Sequence, residues 1–175
     1  MTVLLSTERL RLRAFRHDDL DALGALFADP VVLRYLRAPL DRLAAYRMAA
    51  GALSFLQQHG DPARPGIWAI ERVADGVLIG RVGLSAWSDA GGGPRWELGY
   101  LLGSRWFGQG YATEAARAVR DHARTRLGLE ALVALVHPDN AASHRVLAKL
   151  DFSWDGARTA EEAGQPRQVW TWSAP

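Results

Sequence analysis

The segment that most constrains this chain runs from Trp96 to Glu114, where a strand-like stretch, a glycine-rich turn and a helix-like stretch follow one another directly. The strand-like residues end at Leu102, and Gly108 and Gly110 punctuate the turn. Such a turn lacks bulky side chains, so its backbone N–H groups can close around an anion. The helix that follows adds unpaired N–H groups and roughly half a positive charge at its N-terminus. The segment therefore predicts a site for a phosphate or pyrophosphate group.

The composition is that expected of one globular domain spanning residues 1–175. Hydrophobic residues make up 49% of the chain and charged residues 23%, which is not the balance of a disordered protein. The sequence has no apolar run near the ~20 residues of a membrane span, and its N-terminus shows no basic start or cleavage site. With no cysteine, disulfides, thiolate catalysis and cysteine metal sites are excluded. We therefore expect a cytoplasmic protein with no membrane partner.

The basic residues are almost all arginine. Lysine and arginine total 21 against 19 aspartates and glutamates, and Lys149 is the single lysine. Arginine pairs well with phosphate, so this excess could indicate nucleic-acid binding, although a bias in the coding sequence would produce it too. The arginines are spread along the chain among the acids and form no basic tract. We therefore expect no nucleic-acid partner.

Hydrophobic patterns predict a mixed sheet with helices on both faces, which is an α/β or α+β fold. No internal repeat or linker interrupts the pattern. The predicted strands are Arg9–Arg13, Ile67–Val73, Val77–Leu84, Trp96–Leu102, Ala131–Val136, a segment near Phe152, and Gln168–Trp172. The predicted helices run from caps at His17 to Asp19 through Phe27, from Asp41 to Gln58, from the glycine turn through Arg126, and from Asn140 to Leu150. Asp29 and Pro30 are predicted to end the first helix.

Three kinds of phosphate ligand compete for the glycine turn. A nucleoside triphosphate bound by a P-loop is excluded because no Gly-Lys-Ser/Thr follows the turn. A dinucleotide fits in part, since Gly108–Thr113 reads G-x-G-x-x-T and Glu130 follows about twenty residues later. However, Glu130 precedes the next predicted strand instead of ending it, and the turn does not follow the first strand of the chain. The third ligand is coenzyme A.

Four stretches resemble the GCN5-related N-acetyltransferases. Arg105–Ala112 resembles that family's Q/R-x-x-G-x-G/A loop, and Asn140–Phe152 is similar to its second signature, N-x-x-S-x-x-x-x-x-K-x-G-F. Ile79–Leu84 and Glu97–Tyr100 match as well, so the resemblance covers nearly the whole chain and indicates the RimJ/RimL branch. It implies the acyl-CoA N-acyltransferase fold, a mixed central sheet of about six to seven strands flanked by helices, with acetyl-CoA as co-substrate.

The same resemblance assigns the cofactor site. It places the pyrophosphate on the backbone amides of Gly108–Thr113, and the pantetheine arm between the Trp96–Leu102 strand and the next one. Asn140 would bond the pantetheine amides while also capping a helix, and the Ser143 hydroxyl would lie near the sulfur. The predicted cofactor residues are Leu101, Leu102, Gly103, Arg105, Gly108, Gln109, Gly110, Tyr111, Ala112, Thr113, Asn140 and Ser143. No metal site is predicted, because the histidines lack metal-binding spacing.

The cofactor strand has two different faces. Alternation places Glu97, Gly99 and Leu101 on one side of the sheet and their neighbours on the other. By the family resemblance, backbone groups of residues 101–103 would bond the pantetheine arm, and one amide N–H there could stabilise the oxyanion of the tetrahedral intermediate.

Glu97 is the candidate catalytic base. Acetylation needs a neutral amine, but most aliphatic amines are protonated near pH 7, so a base that acts directly or through water assists. Glu97 lies on the cofactor strand at the position where the family usually has its base. Two other interpretations stay open: the carboxylate could form a salt bridge with Arg81 or Arg95, or it could orient the substrate without taking its proton.

The group that protonates the departing thiolate is left open by the sequence. Many family members have a tyrosine seven residues beyond the asparagine, where this chain has Leu147. A thiolate whose conjugate acid has a pKa near 8.5 can leave without an acid. Ser143, or a water that it holds, is the second candidate catalytic group, and Tyr111 is a weaker one.

We therefore predict an enzyme that moves an acetyl group from acetyl-CoA to a primary amine by direct attack in a ternary complex. The acceptor could be a protein or peptide N-terminal amine, or a small-molecule amine such as an antibiotic, a polyamine or a metabolite. It should lie against Asp29–Gln58 and Gly156–Gln165, although neither segment discriminates between these acceptors. A non-catalytic acyl-CoA-binding module is the alternative from another class. The resemblance also allows a homodimer.

Overall fold

A computed structural model of the protein describes residues 3–36, 40–58, 61, 63–88, 95–162 and 164–174. The strands within these ranges are β1 (Val3–Ser6), β2 (Leu10–Arg13), β3 (Ile67–Arg72), β4 (Leu78–Trp87), β5 (Arg95–Leu102), β6 (Ala131–Val136), β7 (Thr159–Glu162) and β8 (Gln165–Ser173). The α-helices are α1 (Leu20–Ala28), α2 (Pro30–Leu33), α3 (Arg42–Gln58), α4 (Tyr111–Thr125) and α5 (Ala141–Ala148). All eight of these strands form one sheet in the order β1-β2-β3-β4-β5-β6-β8-β7.

The predicted class, a mixed sheet flanked by helices, is confirmed, with more strands than the predicted six to seven. Sequence patterns missed β1 and β7 because both are four-residue edge strands, and β7 is mostly polar. The strand predicted near Phe152 is instead a single bridge between Ser153 and Thr171. Phe152 itself is buried in the core, so its apolar character reflects packing rather than a strand.

The junction between β5 and β6 is the one parallel pairing of the described sheet. It is registered at a single position, Glu97 opposite Val133, whereas β5 pairs with β4 along its whole length, from Arg95 to Leu102. The backbone of β5 beyond Glu97 is therefore unpaired on the side that faces β6. We call this opening the β5–β6 gap.

Two hydrophobic layers lie on opposite faces of the sheet. Leu98 and Leu102 of β5 pack in the layer beneath α4 and the end of α5, whereas Leu101 packs in the layer formed with α1, α2 and α3. The predicted alternation along β5 is thus confirmed. Glu97, which alternates with Leu98, points towards the α1–α3 face.

Local sequence explains the helices on that face. In α3, Ala45, Ala49, Leu53 and Leu56 are buried at helical spacing, and the Asp41 carboxylate accepts a hydrogen bond from an N–H of the first turn at 2.8 Å. The predicted helix is confirmed within one residue. At the end of α1, Asp29 and Pro30 do stop the helix, but they also start α2, because Pro30 fits its first position and Asp29 accepts a hydrogen bond from Val31 N–H at 2.9 Å.

A buried ionic network joins β2, β3 and the start of α1. Arg13 donates from both Nη atoms to the Asp19 carboxylate at 2.7 and 2.8 Å, and from Nε to Glu71 at 2.6 Å. The Asp19 carboxylate also accepts a hydrogen bond from Arg16 N–H at 2.7 Å. Since every charge has a partner of opposite sign, burial is tolerated and the network fixes the first helix against the sheet.

Candidate active site

The glycine turn is shaped to expose backbone amides. Gly108 and Gly110 have φ angles of +74° and +84°, in the left-handed region that favours glycine. Gly110 is the N-cap of α4 and has no side chain to cap it, so the first intrahelical bond is that from Glu114 N–H to the Gly110 carbonyl at 3.0 Å. The N–H groups of residues 111–113 have no hydrogen-bond partner within the described residues. They can bind an anion directly.

Side chains from the start of the chain hold this turn in place. Arg9 donates from Nε to Glu114 at 2.7 Å and from Nη1 to the Gln109 carbonyl at 3.0 Å, and its guanidinium lies 4.5 Å from the Tyr111 ring centroid. Thr7 donates to the other Glu114 oxygen at 2.5 Å. Burial raises the pKa of Glu114, but the hydrogen bonds from Thr7 and Arg9 outweigh it and hold that pKa below its ordinary value. Glu114 is thus ionised and held by Thr7 and Arg9, and we call its contact with Arg9 the Arg9–Glu114 clamp.

Arginine and tryptophan side chains flank the turn. The guanidinium groups of Arg72 and Arg105 lie 4.4 and 4.6 Å from the centroid of the Trp106 ring. The Gln109 side chain donates to the Arg105 carbonyl at 3.0 Å, which closes the turn on itself. Arg105 therefore brings positive charge to the predicted pyrophosphate site, whereas the side chain of Gln109 is used internally.

The end of β5 leaves one particular amide open to the β5–β6 gap. Gly103 N–H donates to the Ile79 carbonyl of β4 at 2.9 Å, so it is already used. Because successive backbone groups of a strand point to opposite edges, Leu102 N–H faces the gap instead. Among the residues predicted to bond the pantetheine arm, Leu102 therefore has a backbone N–H that is directed into the gap.

The start of α5 approaches the same gap. Asn140 accepts a hydrogen bond from Ser143 N–H at 3.1 Å, which confirms its predicted role as a helix cap. The Tyr100 hydroxyl of β5 donates to the Ser143 carbonyl at 3.4 Å, and burial raises the pKa of Tyr100 to about 12. Leu147, at the position where the family often has tyrosine, is fully buried in the core. The Tyr100 hydroxyl, which the sequence did not single out, therefore lies beside the first turn of α5, the turn that carries Ser143.

Glu97 lies beside the gap without a salt bridge. Neither Arg81 nor Arg95 forms an ion pair with it, and no other described residue does. Burial raises its pKa to about 7, the nearby charge of Glu162 adds to the rise, and the charges of two arginines and a hydrogen bond from Leu135 N–H oppose it. A carboxyl group with this pKa is poised to exchange a proton near neutrality.

Charged side chains from distant strands surround Glu97 on the α1–α3 face. Arg167 of β8 donates from Nε to Glu162 of β7 at 3.2 Å and from Nη1 to the Tyr35 carbonyl at 2.8 Å. The Tyr35 ring lies 5.2 Å from that of His137, which follows β6. We call Arg81, Glu97, Glu162 and Arg167 the charged cluster. Of the two predicted acceptor segments, Gly156–Gln165 contributes Glu162 to the cluster, and Asp29–Gln58 places Tyr35 beside it. Residues 37–39 and 163 of those segments lie outside the described residues.

Sequence patterns could not identify the rest of the cluster. The sequence offers Arg81 only as a salt-bridge partner for Glu97, and Arg167 lies one residue before the predicted strand Gln168–Trp172. Their common location follows from the strand order β4-β5-β6-β8-β7 and from α2, which was not predicted. Arg167 lies two residues before the buried Val169 on the same strand, so both side chains point to one face of the sheet. This spacing is the signal in the sequence that Arg167 points towards the core.

A cleft of about 310 Å³ lies next to the cofactor segment, between α1 and the short 3₁₀ turn Ser104–Trp106. Its wall includes Asp29, whose carboxylate accepts a hydrogen bond from the Ser104 hydroxyl at 2.5 Å. Glu97 and Ser143 are not among its lining residues. The cleft therefore adjoins the end of β5 and Arg105 of the predicted pyrophosphate site, and it does not include the two candidate catalytic residues.

The described residues give no indication of a metal site or of a membrane span. They contain no group of three or more histidine, aspartate or glutamate side chains arranged to hold a metal ion. Among them, none of the helices is both long and apolar enough to span a bilayer.

Comparison with known proteins identifies the family of this chain. Residues 9–153 match the acetyltransferase (GNAT) domain, so the chain belongs to that family. The predicted resemblance is thus confirmed, and the protein is an acetyltransferase of that family.

Relatives and solved structures agree with this assignment. An N-acetyltransferase of Bacillus licheniformis, the uncharacterized protein p20, is 32% identical over 94% of this chain and 90% of its own length. The crystal structure of an acetyltransferase from Agrobacterium tumefaciens superposes with a TM-score of 0.73 at 28% identity, covering 98% of this chain and 94% of that one. Mycobacterium smegmatis RimJ, solved in complex with CoA-disulfide, shares the fold with a TM-score of 0.71 at 23% identity over 94% of this chain and 82% of its own.

Proposed function

We propose that the protein transfers an acetyl group from acetyl-CoA to the primary amine of an acceptor, and that Glu97 is the base. The observation that carries this proposal is the state of Glu97: a carboxyl group on the cofactor strand, free of ion pairs within the described residues, with a pKa raised to about 7. A structural carboxylate would be expected to have a charged partner, as Asp19 and Glu71 do in the buried network of Arg13.

The cofactor would bind along the β5–β6 gap. The open amides of residues 111–113 and the guanidinium of Arg105 would hold the pyrophosphate. The pantetheine arm would run along the unpaired edge of β5 towards the side chain of Asn140, which is the N-cap of α5. Bound there, acetyl-CoA supplies an activated thioester, which an amine can attack without a covalent enzyme intermediate.

The chemistry then needs two proton movements. Glu97 accepts a proton from the acceptor ammonium group, and the neutral nitrogen attacks the thioester carbonyl. A C–N bond forms while Leu102 N–H donates to the developing oxyanion, and then the C–S bond breaks. As the intermediate collapses, the nitrogen loses its second proton, and the departing thiolate receives that proton at the Ser143 end of the gap, relayed by the Ser143 hydroxyl or by a water that it holds. The products are the N-acetylated amine, which is an amide, and free coenzyme A.

A peptide or protein N-terminal amine is the first candidate acceptor, with antibiotic, polyamine and metabolite amines as alternatives. The support is that RimJ, solved with CoA-disulfide, and RimL, named for acetylation of ribosomal L7/L12, share this fold at 23% and 18% identity. At such identities the likeness concerns architecture alone. We further propose that the chain acts as a single domain in the cytoplasm, without nucleic-acid or membrane partners, and that it forms a homodimer.

A thiol-release assay tests the function. Purified protein is mixed with acetyl-CoA and, in separate reactions, with short peptides, polyamines and aminoglycosides, and free coenzyme A is measured against reactions without amine. We expect release that depends on one class of amine and on Glu97. Binding of acetyl-CoA without release for any amine would instead indicate a non-catalytic acyl-CoA-binding module, and absence of binding would refute both interpretations.

A further inference from the structure

Two arginines of the charged cluster have donors that the fold does not use. Arg81 lies on β4 opposite Leu101 of β5, so its side chain faces the same side of the sheet as Glu97. Its side chain forms no hydrogen bond or ion pair with the described residues, and its Nε is enclosed. Arg167 is only 2% exposed, yet its Nη2 also lacks an acceptor. Enclosed, unmatched donors of charged groups are costly, so two that both act electrostatically on Glu97 require an explanation.

The same protein shows how it satisfies an arginine whose role is structural. Arg13, like Arg167, is 2% exposed, but all three of its guanidinium nitrogens donate to carboxylates or to a carbonyl. The fold can therefore fully pair a buried guanidinium group. The unmatched donors of Arg81 and Arg167 both occur beside Glu97, which indicates that their acceptor is a ligand rather than the protein.

The balance of charge gives the sign of that ligand. Glu97 and Glu162 face Arg81 and Arg167, two negative groups against two positive ones, and all four interact electrostatically. When Glu97 has taken the proton of the acceptor amine, it is neutral, and one positive charge of the cluster is uncompensated. An acceptor that brings one carboxylate to this place would restore neutrality and satisfy the free donors.

We propose that the acceptor is an acidic amine, one that carries a carboxylate on the same amino-acid unit as its reactive nitrogen, and that Arg81, assisted by Nη2 of Arg167, binds this carboxylate. This deepens the proposed function and rests on it. Two sources supply the same chemistry: a free amino acid, and a peptide whose N-terminal residue is aspartate or glutamate. Arg81 then sets acceptor specificity, while Glu97 serves the reaction.

Calorimetry on the full-length protein saturated with coenzyme A tests the binding step without requiring turnover. The probes are Asp-Ala-Ala-amide and Asn-Ala-Ala-amide for the peptide source, and alanine and alaninamide for the free amino acid. Each pair differs by one carboxylate. We expect the carboxylate form of at least one pair to bind roughly tenfold or more tightly than its amide, as a charge-assisted hydrogen bond would give. The pair that shows the difference identifies the source.

Variants connect the preference to the arginines. In Arg81→Gln the ratio of the two affinities should fall to within about twofold, and Arg81→Lys should restore part of it because it keeps the charge. Arg167→Gln should reduce the ratio as well, with circular dichroism to show that the variant folds. The control is Arg124→Gln, which removes an exposed arginine at the far end of α4 on the other face of the sheet. Intrinsic differences between the two probes cancel when ratios are compared.

The outcomes separate this inference from the proposed function. If the wild-type protein binds neither member of either pair, or binds acid and amide equally, the acidic-acceptor proposal is wrong even where other amines are acetylated. An unchanged ratio in Arg81→Gln would also overturn it. If acetyl-CoA itself fails to bind, it is the acetyltransferase assignment that fails. An acid preference that disappears with Arg81 supports the proposal.

Discussion

The two sides of the β5–β6 gap are built in different ways. On the phosphate side, the groups that can bind a ligand are main-chain amides placed by Gly108, Gly110 and the first turn of α4, all within a few residues of one another. On the acceptor side, they are the charged side chains of β4, β5, β7 and β8, brought together by the sheet order. The proposed cofactor site is therefore a local motif, whereas the proposed acceptor site depends on the whole fold. We expect substitutions on the two sides to affect different measurements.

The largest effect should come from Glu97→Gln on the acceptor side. Removing a general base usually costs about 10²–10⁴-fold in turnover, and glutamine keeps the size and the hydrogen-bonding capacity of the side chain. We expect kcat to fall by this factor and the acid limb near pH 7 to disappear from the pH–rate profile, while acetyl-CoA affinity stays nearly the same. A profile identical to that of the wild type would remove Glu97 from the mechanism.

The same substitution should stabilise the fold at alkaline pH. The pKa of Glu97 is raised from 4.5 to about 7 in the folded state, so ionisation is harder there than in the unfolded chain. The contribution of the protonated Glu97 to the free energy of unfolding is fully present below about pH 4.5. It is lost as the pH rises to about 7, and it stays absent at higher pH. Glu97→Gln should therefore gain about 1–3 kcal/mol over the wild type at pH 8 and little at pH 4.5. Denaturant unfolding at both pH values measures this, and equal gains would contradict the raised pKa.

On the phosphate side, Gly110→Ala should weaken cofactor binding. Its φ of +84° is strained for alanine by about 1–2 kcal/mol, so the turn would leave the shape that exposes its amides. We expect the Kd for acetyl-CoA to rise roughly 5- to 30-fold, with kcat at saturation changed much less. Gly128→Ala is the matched control, since Gly128 has a φ of +66°, lies beyond the end of α4, and has open space around its α-carbon. Equal loss of affinity in both variants would mean that strain, not the loop, is responsible.

The smallest expected effects are shifts in the acid limb of the pH profile. The charge of Arg81 lowers the pKa of Glu97 and that of Glu162 raises it. Arg81→Gln should therefore move the limb to higher pH and Glu162→Gln to lower pH, each by about 0.5–1 unit. The measurement is kcat with an amine acceptor that has no carboxylate, so that the proposed carboxylate contact with Arg81 does not contribute. Shifts in the same direction would show that the charged cluster does not control Glu97.

The sequence predicts the phosphate side of the gap better than it predicts the acceptor side. The glycine turn follows from glycine spacing, and the Asn140 cap follows from capping chemistry. Strand alternation gives the side of the sheet to which Glu97 points. All three signals act over a few residues. The clamp between Arg9 and Glu114 joins residues 105 positions apart, and nothing near either residue indicates it. The roles of Arg81 and Arg167 depend on β7 and α2, two short elements that hydrophobic periodicity did not reveal. Their patterns are too brief to distinguish from loops.

The central claim is that the open amides at the start of α4 hold the diphosphate of acetyl-CoA, and one comparison tests it most directly. Calorimetry should be performed with acetyl-CoA and with acetyl-pantetheine, which has the same thioester and arm but no diphosphate or nucleotide. We predict that acetyl-CoA binds the protein at least about tenfold more tightly, and that Gly110→Ala reduces this difference. Equal affinity for the two compounds, or no binding of acetyl-CoA at millimolar concentration, would contradict the claim.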